Sequence, residues 1–217
     1  MNVAPSYYLK EAFENAGHDN LVLIPNSIDI EKYPFSERTR ETPKLLWVRS
    51  FSKIYNPKLA ISIFAIVKEK YPEAELCMVG PEKDGSLLEC KKLAENLQLK
   101  VKFTGLIPKN EWIKLSENYN IFINTTNFDN MPVSVIEAMA LGLPVISTDV
   151  GGIPSLIKNR EEGLLVAPNN ALAFVEAIAY VLGNDMLIQS ITKKARMKVE
   201  PYSWNEVKNM WILLLER

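Results

Sequence analysis

Ile121-Phe122-Ile123, the loop at 124–132, the amphipathic stretch 132–141 and the apolar run Pro144-Val145-Ile146-Ser147 follow one another along the chain. Neither apolar run alternates with polar residues, which is how a strand covered on both faces reads. Pro132 suits the first turn of a helix, because its fixed φ fits and its missing N–H is not needed there. A strand, a helix and a second strand in this order require a crossover connection, so the two strands pair in parallel.

The same unit repeats outward in both directions. Apolar runs stand at 45–48, 74–79, 101–104 and 164–166, and helix-like stretches at 57–71, 86–97, 109–116 and 171–182. Alternation of this kind predicts an α/β fold, a parallel sheet of about six strands covered by helices on both faces. Before Pro43 the pattern changes. Residues 5–16 read as a helix, 21–24 as a strand, 25–29 as a turn and 31–42 as a polar, charged linker. After Asn184, 186–199 and 203–217 read as helices separated by Pro201. The last carries an apolar stripe of Trp204, Val207, Trp211, Leu214 and Leu215. The four tryptophans, Trp47, Trp112, Trp204 and Trp211, sit at core-like spacings and are expected to pack.

Composition removes several classes of function. Among 217 residues, 25 basic and 26 acidic side chains leave a net charge of −1, with no basic surplus for a nucleic-acid backbone. Two cysteines and one histidine do not supply a zinc site or a metal centre that needs several histidines. The Gly-x-Gly-x-x-Gly and Walker A spellings are missing, and so is Asp-x-Asp, the usual carboxylate pair for a divalent metal. No metal and no cofactor are expected. The start, Met1-Asn2-Val3-Ala4-Pro5, does not spell a signal peptide, and no run of about 18 apolar residues is present. The expectation is a cytoplasmic protein with reduced thiols, Cys77 and Cys90 being packing residues rather than nucleophiles. His18 reads as a plain polar residue.

Open parallel sheets bind ligands beyond the carboxyl ends of their strands. Six loops on that rim hold the distinctive residues: 49–53, 80–85, 105–109, 124–132, 148–154 and 167–169. In 124–132, the free N–H groups of Val133 and Ser134 after Pro132 would form an anion site of the kind that holds a diphosphate. Asp129 before that helix start and Glu137 one turn in are placed to accept from hydroxyls. A diphosphate flanked by hydroxyl-bearing groups is a nucleotide sugar. Arg49 and Lys53 would clamp the diphosphate. Plainer readings stand beside each of these. Ser134-x-x-Glu137 also spells a capping box, Asp129 also suits a cap or turn, and Arg49 and Lys53 also suit a solvated loop. Gly151-Gly152 is either a tight turn or a close approach.

Taken together, Ile24-Pro25-Asn26-Ser27-Ile28-Asp29, the pair Asp129 and Glu137, the run from Glu137 through Val145, Thr148 through Pro154, and Glu162-Gly163-Leu164-Leu165-Val166 carry a resemblance. They resemble the carboxyl-terminal, Rossmann-like half of a GT-B glycosyltransferase of the large retaining family four. The resemblance implies residues 1–36 as the remnant of an amino-terminal domain with its linker, and 37–217 as the nucleotide-sugar-binding domain. It implies a UDP- or GDP-linked sugar donor and retaining, metal-independent transfer. Glu137 would take the ribose hydroxyls, Asp129 the transferred sugar, Pro132, Val133 and Ser134 the diphosphate, and the loop at Ile107 the base. Arg49 and Lys53 would neutralise the leaving charge.

The sequence departs from the family in three ways. Asp129 replaces the common Glu, and both cations sit one or two positions off the family's register. The acceptor half also does not precede the linker, so the chain alone is expected to show little or no transfer. The full-length enzyme would meet a glycan or lipid-linked acceptor through that half, with peripheral membrane association. Two other expectations are a non-catalytic module of the same fold, docking through the stripe around Trp211 and Leu215, and a nucleotide-sugar epimerase fragment.

Overall fold

In the computed structural model, which describes residues 1–38 and 41–216, the chain begins with a small parallel pair. Strand β1 (Asn2–Ala4) lies beside β2 (Leu21–Leu23), connected by helix α1 (Tyr7–Asn15). The Ser6 hydroxyl caps α1 by accepting from Leu9 N–H at 3.1 Å. Strand β1 is not visible in the sequence. Its three residues carry no periodicity of their own and are extended because β2, nineteen register positions later (Asn2↔Leu21), pairs with them.

The main body alternates as the apolar runs predict. Its elements are β3 (Lys44–Val48), α2 (Pro57–Lys70), β4 (Glu75–Val79), α3 (Ser86–Asn96), β5 (Lys102–Gly105) and α4 (Lys109–Ser116). There follow β6 (Ile121–Asn124), α5 (Val133–Ala140), β7 (Val145–Thr148), α6 (Ile153–Leu156), β8 (Leu164–Val166) and α7 (Ala171–Gly183), and then α8 (Asp185–Val199) and α9 (Trp204–Leu215). The six strands from β3 to β8 form one parallel sheet in the order β5-β4-β3-β6-β7-β8. From β3 the chain builds outward through β4 to β5, then returns to lay β6 on the other side of β3. The order therefore reverses between β3 and β6, which is where a doubly wound sheet opens a crevice.

Each strand divides its side chains between two cores. Leu45 and Trp47 of β3 face a layer containing Phe64 of α2 and Phe174 of α7, while Leu46 faces Val135, Ile136 and Met139 of α5. Phe64 and Phe174 are fully buried, and burying a side chain of this size contributes roughly 1.5–3 kcal/mol.

The composition of 31–42 predicts a polar, charged linker. Within its described part, Tyr33 is only 2% exposed and belongs to the core on the α5 side. The end of α5 and this stretch touch at Gly142, whose φ of +78° ends the helix. A Cβ there would stand 2.7 Å from the Ser36 carbonyl oxygen.

The final helix corrects a second expectation. Val207 is buried, but Trp204 is 53% and Trp211 37% exposed, so these two tryptophans do not pack as Trp47 and Trp112 do. The apolar stripe is helical as predicted, but of its residues only Val207 is buried and Leu214 partly so. No single helix among the described residues is long and apolar enough to cross a membrane.

Candidate functional site at the β3–β6 switch point

Arg49 leaves β3 with its N–H still bonded to the Val79 carbonyl at 2.9 Å, so the backbone continues the sheet by one residue. The loop after β4 lies directly on it. At Gly80, with φ of +147°, a Cβ would stand 1.8 Å from the Arg49 carbonyl oxygen. The Arg49 guanidinium stacks on the Tyr55 ring at 4.2 Å and ion-pairs with the Asp129 carboxylate. Its Nε is buried without an acceptor. Burial pushes the Asp129 carboxyl above the ordinary range, while Arg49 and the Asn130 N–H pull it back down.

The backbone at Asp129 is held from the other side by the loop after β7. Its carbonyl accepts from Gly152 N–H at 2.9 Å. A Cβ on Gly151, φ +55°, would come within 2.2 Å of that same oxygen, and one on Gly152 within 1.9 Å of the Asn130 oxygen. The two glycines are therefore a close approach of chain to chain. Asn130 accepts in turn from the Ser6 hydroxyl, and Asn26 donates to the Met131 carbonyl at 2.9 Å, so residues 1–26 reach this loop directly.

Helix α5 begins at Val133, with Pro132 as its N-cap and no side-chain cap. Ser134 lies inside the helix, so the capping-box reading of Ser134 and Glu137 does not hold. Its hydroxyl is buried without a partner. The N–H groups of Val133 and Ser134 meet no acceptor among the described residues. This is the unsatisfied helix start that attracts an anion.

Glu137, 3% exposed, sits one turn further in. Tyr33 donates its hydroxyl to Oε1 at 2.6 Å, and the Lys109 ammonium reaches the same oxygen at 2.6 Å. Ile107, half-buried, precedes Lys109 in the β5–α4 loop. Tyr33 was not foreseen as a site residue, and nothing around it in 31–42 marks it. Lys109 belongs to one of the six rim loops, and its position there was the available signal.

Lys53 is placed differently from Arg49. It is exposed in a short 3-10 turn, its N–H donates to Asp84 at 2.9 Å, and its ammonium has no ion-pair partner among the described residues. The acids of the neighbouring loop are consumed locally. Glu82 accepts from the N–H groups of Lys83, Asp84, Gly85 and Leu87, and hydrogen bonds from Ser86, Lys53 and Ser52 hold Asp84 at a pKa of about 2. Among the described residues no group of three or more His, Cys, Asp or Glu is arranged to hold a metal ion.

The family profile of the glycosyl transferases group 1 matches residues 29–198, a span that includes Tyr33, Arg49, Lys53, Lys109, Asp129, Ser134 and Glu137. The chain belongs to this family. This group 1 chain is 25% identical over 192 residues to the UDP-Gal:alpha-D-GlcNAc-diphosphoundecaprenol alpha-1,3-galactosyltransferase of Escherichia coli, covering 82% of the chain and 49% of that protein. It spans about half the length, or less, of the curated relatives it matches. The Anabaena HepE structure in complex with UDP and glucose superposes with a TM-score of 0.86 at 19% identity, over 99% of this chain and 62% of that one. The carboxyl-terminal domain of a group 1 protein from Francisella tularensis superposes over 82% of this chain and 100% of its own, with a TM-score of 0.70 and 20% identity. These likenesses establish the fold, the carboxyl-terminal Rossmann-like domain of a GT-B glycosyltransferase.

Proposed function

We propose that residues 37–217 bind a nucleotide-diphosphate sugar and form the donor half of a retaining, metal-independent glycosyltransferase. The observation that carries this reading is the start of α5. Two free N–H groups and the unpartnered Ser134 hydroxyl lie between a carboxylate paired to Arg49 and a second carboxylate, Glu137. A diphosphate would satisfy those donors together with the buried Arg49 Nε. The hydroxyls on its two sides would meet Asp129 and Glu137. Charge developing on the leaving diphosphate would be stabilised by the helix start and Arg49. That HepE is seen with UDP supports this donor class.

Lys53 is assigned only an outer, screened contribution, because its ammonium stands in solvent. Residues 1–36 belong in this reading to the amino-terminal domain and its linker. Transfer needs that acceptor-binding domain, so the chain alone is expected to bind donor without turning it over. A glycan or lipid-linked acceptor and a cytoplasmic location complete the proposal, the latter supported by the free, buried thiols Cys77 and Cys90.

Thermal melts with millimolar UDP, GDP and ADP test it. At a hundredfold excess over Kd, a bound ligand raises stability by about 2.7 kcal/mol. The expected outcome is a clear rise in Tm with one of these nucleotides and its loss in Glu137→Ala. No shift with any of them in the wild-type chain would refute the reading.

A further inference from the structure

Both donors to Glu137 reach one oxygen. Tyr33 Oη and Lys109 Nζ stand on Oε1, and Oε2 has no partner among the described residues. The two donors differ in kind. Tyr33 is 2% exposed and Lys109's side chain 62% exposed. A lysine on four rotatable bonds in solvent is a weak and exchangeable contact, whereas a buried tyrosine hydroxyl has two torsions and little freedom.

The backbone under Tyr33 is also fixed to the helix that carries Glu137. Arg196 of α8 donates through the same Nη1 to the Tyr33 carbonyl at 2.7 Å and to the Ala140 carbonyl of α5 at 2.8 Å. The ring leans on Trp112 at 6.4 Å between centroids. Burial and the neighbouring Glu137 both push the Tyr33 hydroxyl upward, so it stays a donor.

We propose that Tyr33 is a positioning residue that makes the site selective for ribose. By occupying Oε1 of Glu137 from the buried side, it fixes the carboxylate so that Oε2 accepts from the 2′-hydroxyl of the donor nucleotide. The inference rests on the nucleotide-sugar reading above and adds to it the residue that sets the discrimination. Without the tyrosine hydroxyl, Glu137 keeps its ion pair but turns toward Lys109. A nucleotide with or without the 2′-hydroxyl is then bound nearly alike.

The test is calorimetric titration of the full chain with the diphosphate that raises Tm, UDP or GDP, and with its 2′-deoxy counterpart. The wild type is expected to prefer the ribonucleotide about tenfold, the worth of one hydrogen bond to a charged group. In Tyr33→Phe the preference falls to about twofold or less, whereas Lys109→Gln keeps it. A general loss of structure would weaken both nucleotides together and leave their ratio unchanged. Should Tyr33→Phe not melt cooperatively, Arg196→Met, which releases the Tyr33 carbonyl, takes its place with the same expected fall. An unchanged ratio in the variant, or no ribose preference in a wild type that binds the nucleotide, overturns the role of Tyr33 and leaves the donor-binding reading standing. A wild type that binds no diphosphate at all overturns the donor-binding reading itself.

Discussion

The guanidinium of Arg49 and the carboxylate of Asp129, eighty residues apart in sequence, are ion-paired across the junction of β3 and β6. The pair is largely buried, with the side chains 19% and 10% exposed. Each charge is therefore the other's main compensation in the absence of ligand.

Removing the cation alone strands the anion. Arg49→Met is expected to cost roughly 3 kcal/mol at pH 7, the lower end of the range for broken buried pairs because some water reaches this one. Asp129 already has a folded pKa above its unfolded one, so its protonated form favours folding. That contribution is complete below the unfolded value and is lost as pH rises through the folded one. Without Arg49 the loss deepens and its upper limit moves to higher pH. Urea denaturation at pH 5 and pH 8 should show a larger deficit at pH 8, and Asp129→Asn on the Arg49→Met background should recover much of it. Equal stability of Arg49→Met and wild type at pH 8 contradicts the account.

Two glycines separate a steric requirement from an open position. Gly152→Ala puts a methyl 1.9 Å from the Asn130 oxygen and is expected to cost about 3 kcal/mol, with a weaker nucleotide shift. Gly183→Ala, at the end of α7 with nothing within 4 Å, should be neutral or stabilise by about 0.5–1 kcal/mol. Melting temperatures of the two variants decide it, and similar values for both would count against the close-approach reading.

Alkaline titration gives an independent view of Tyr33. Its pKa is raised by burial, by the hydrogen bond to Glu137 and by the charge of Glu137, so folding holds the proton more tightly than the unfolded chain does. The stabilisation is full below pH 10, the unfolded value, and is lost as pH climbs above it. Tm measured from pH 9 to 11 should fall less steeply in Tyr33→Phe than in the wild type. Tyr119 and Tyr202, also raised by burial, leave part of the slope in place. A slope unchanged by the substitution is the adverse result.

The strands and helices of the main body were legible because each is an apolar run or stripe with its own period. Their order across the sheet was not, since β6 meets β3 only through a crossover that no local pattern encodes. At the site, Asp129, Glu137 and the start of α5 stood out as acids around a proline in a loop at a strand end. The partners of Glu137 did not. Tyr33 lies among Glu31, Lys32 and Pro34, where composition argues for solvent, and its burial is decided by contacts with α5 and α8. The Ser134-x-x-Glu137 spelling pointed to a cap because four letters do not reveal which residue opens a helix. Trp204 and Trp211 show the converse limit. A stripe establishes that a helix forms, but not that anything covers it.

Gly151 and Gly152 hold the Asp129–Asn130 backbone by direct contact and by the Gly152 N–H bond. The loop is thus gauged by its main chain, while Asp129, Asn130 and Met131 are tied down by Arg49, by Ser6 and by burial. Libraries that vary Phe128, the exposed side chain of this segment, to change the sugar accepted should keep a high proportion of folded clones. Libraries at 151 and 152 should lose folding and donor binding together, which makes these two positions the boundary of the segment open to redesign.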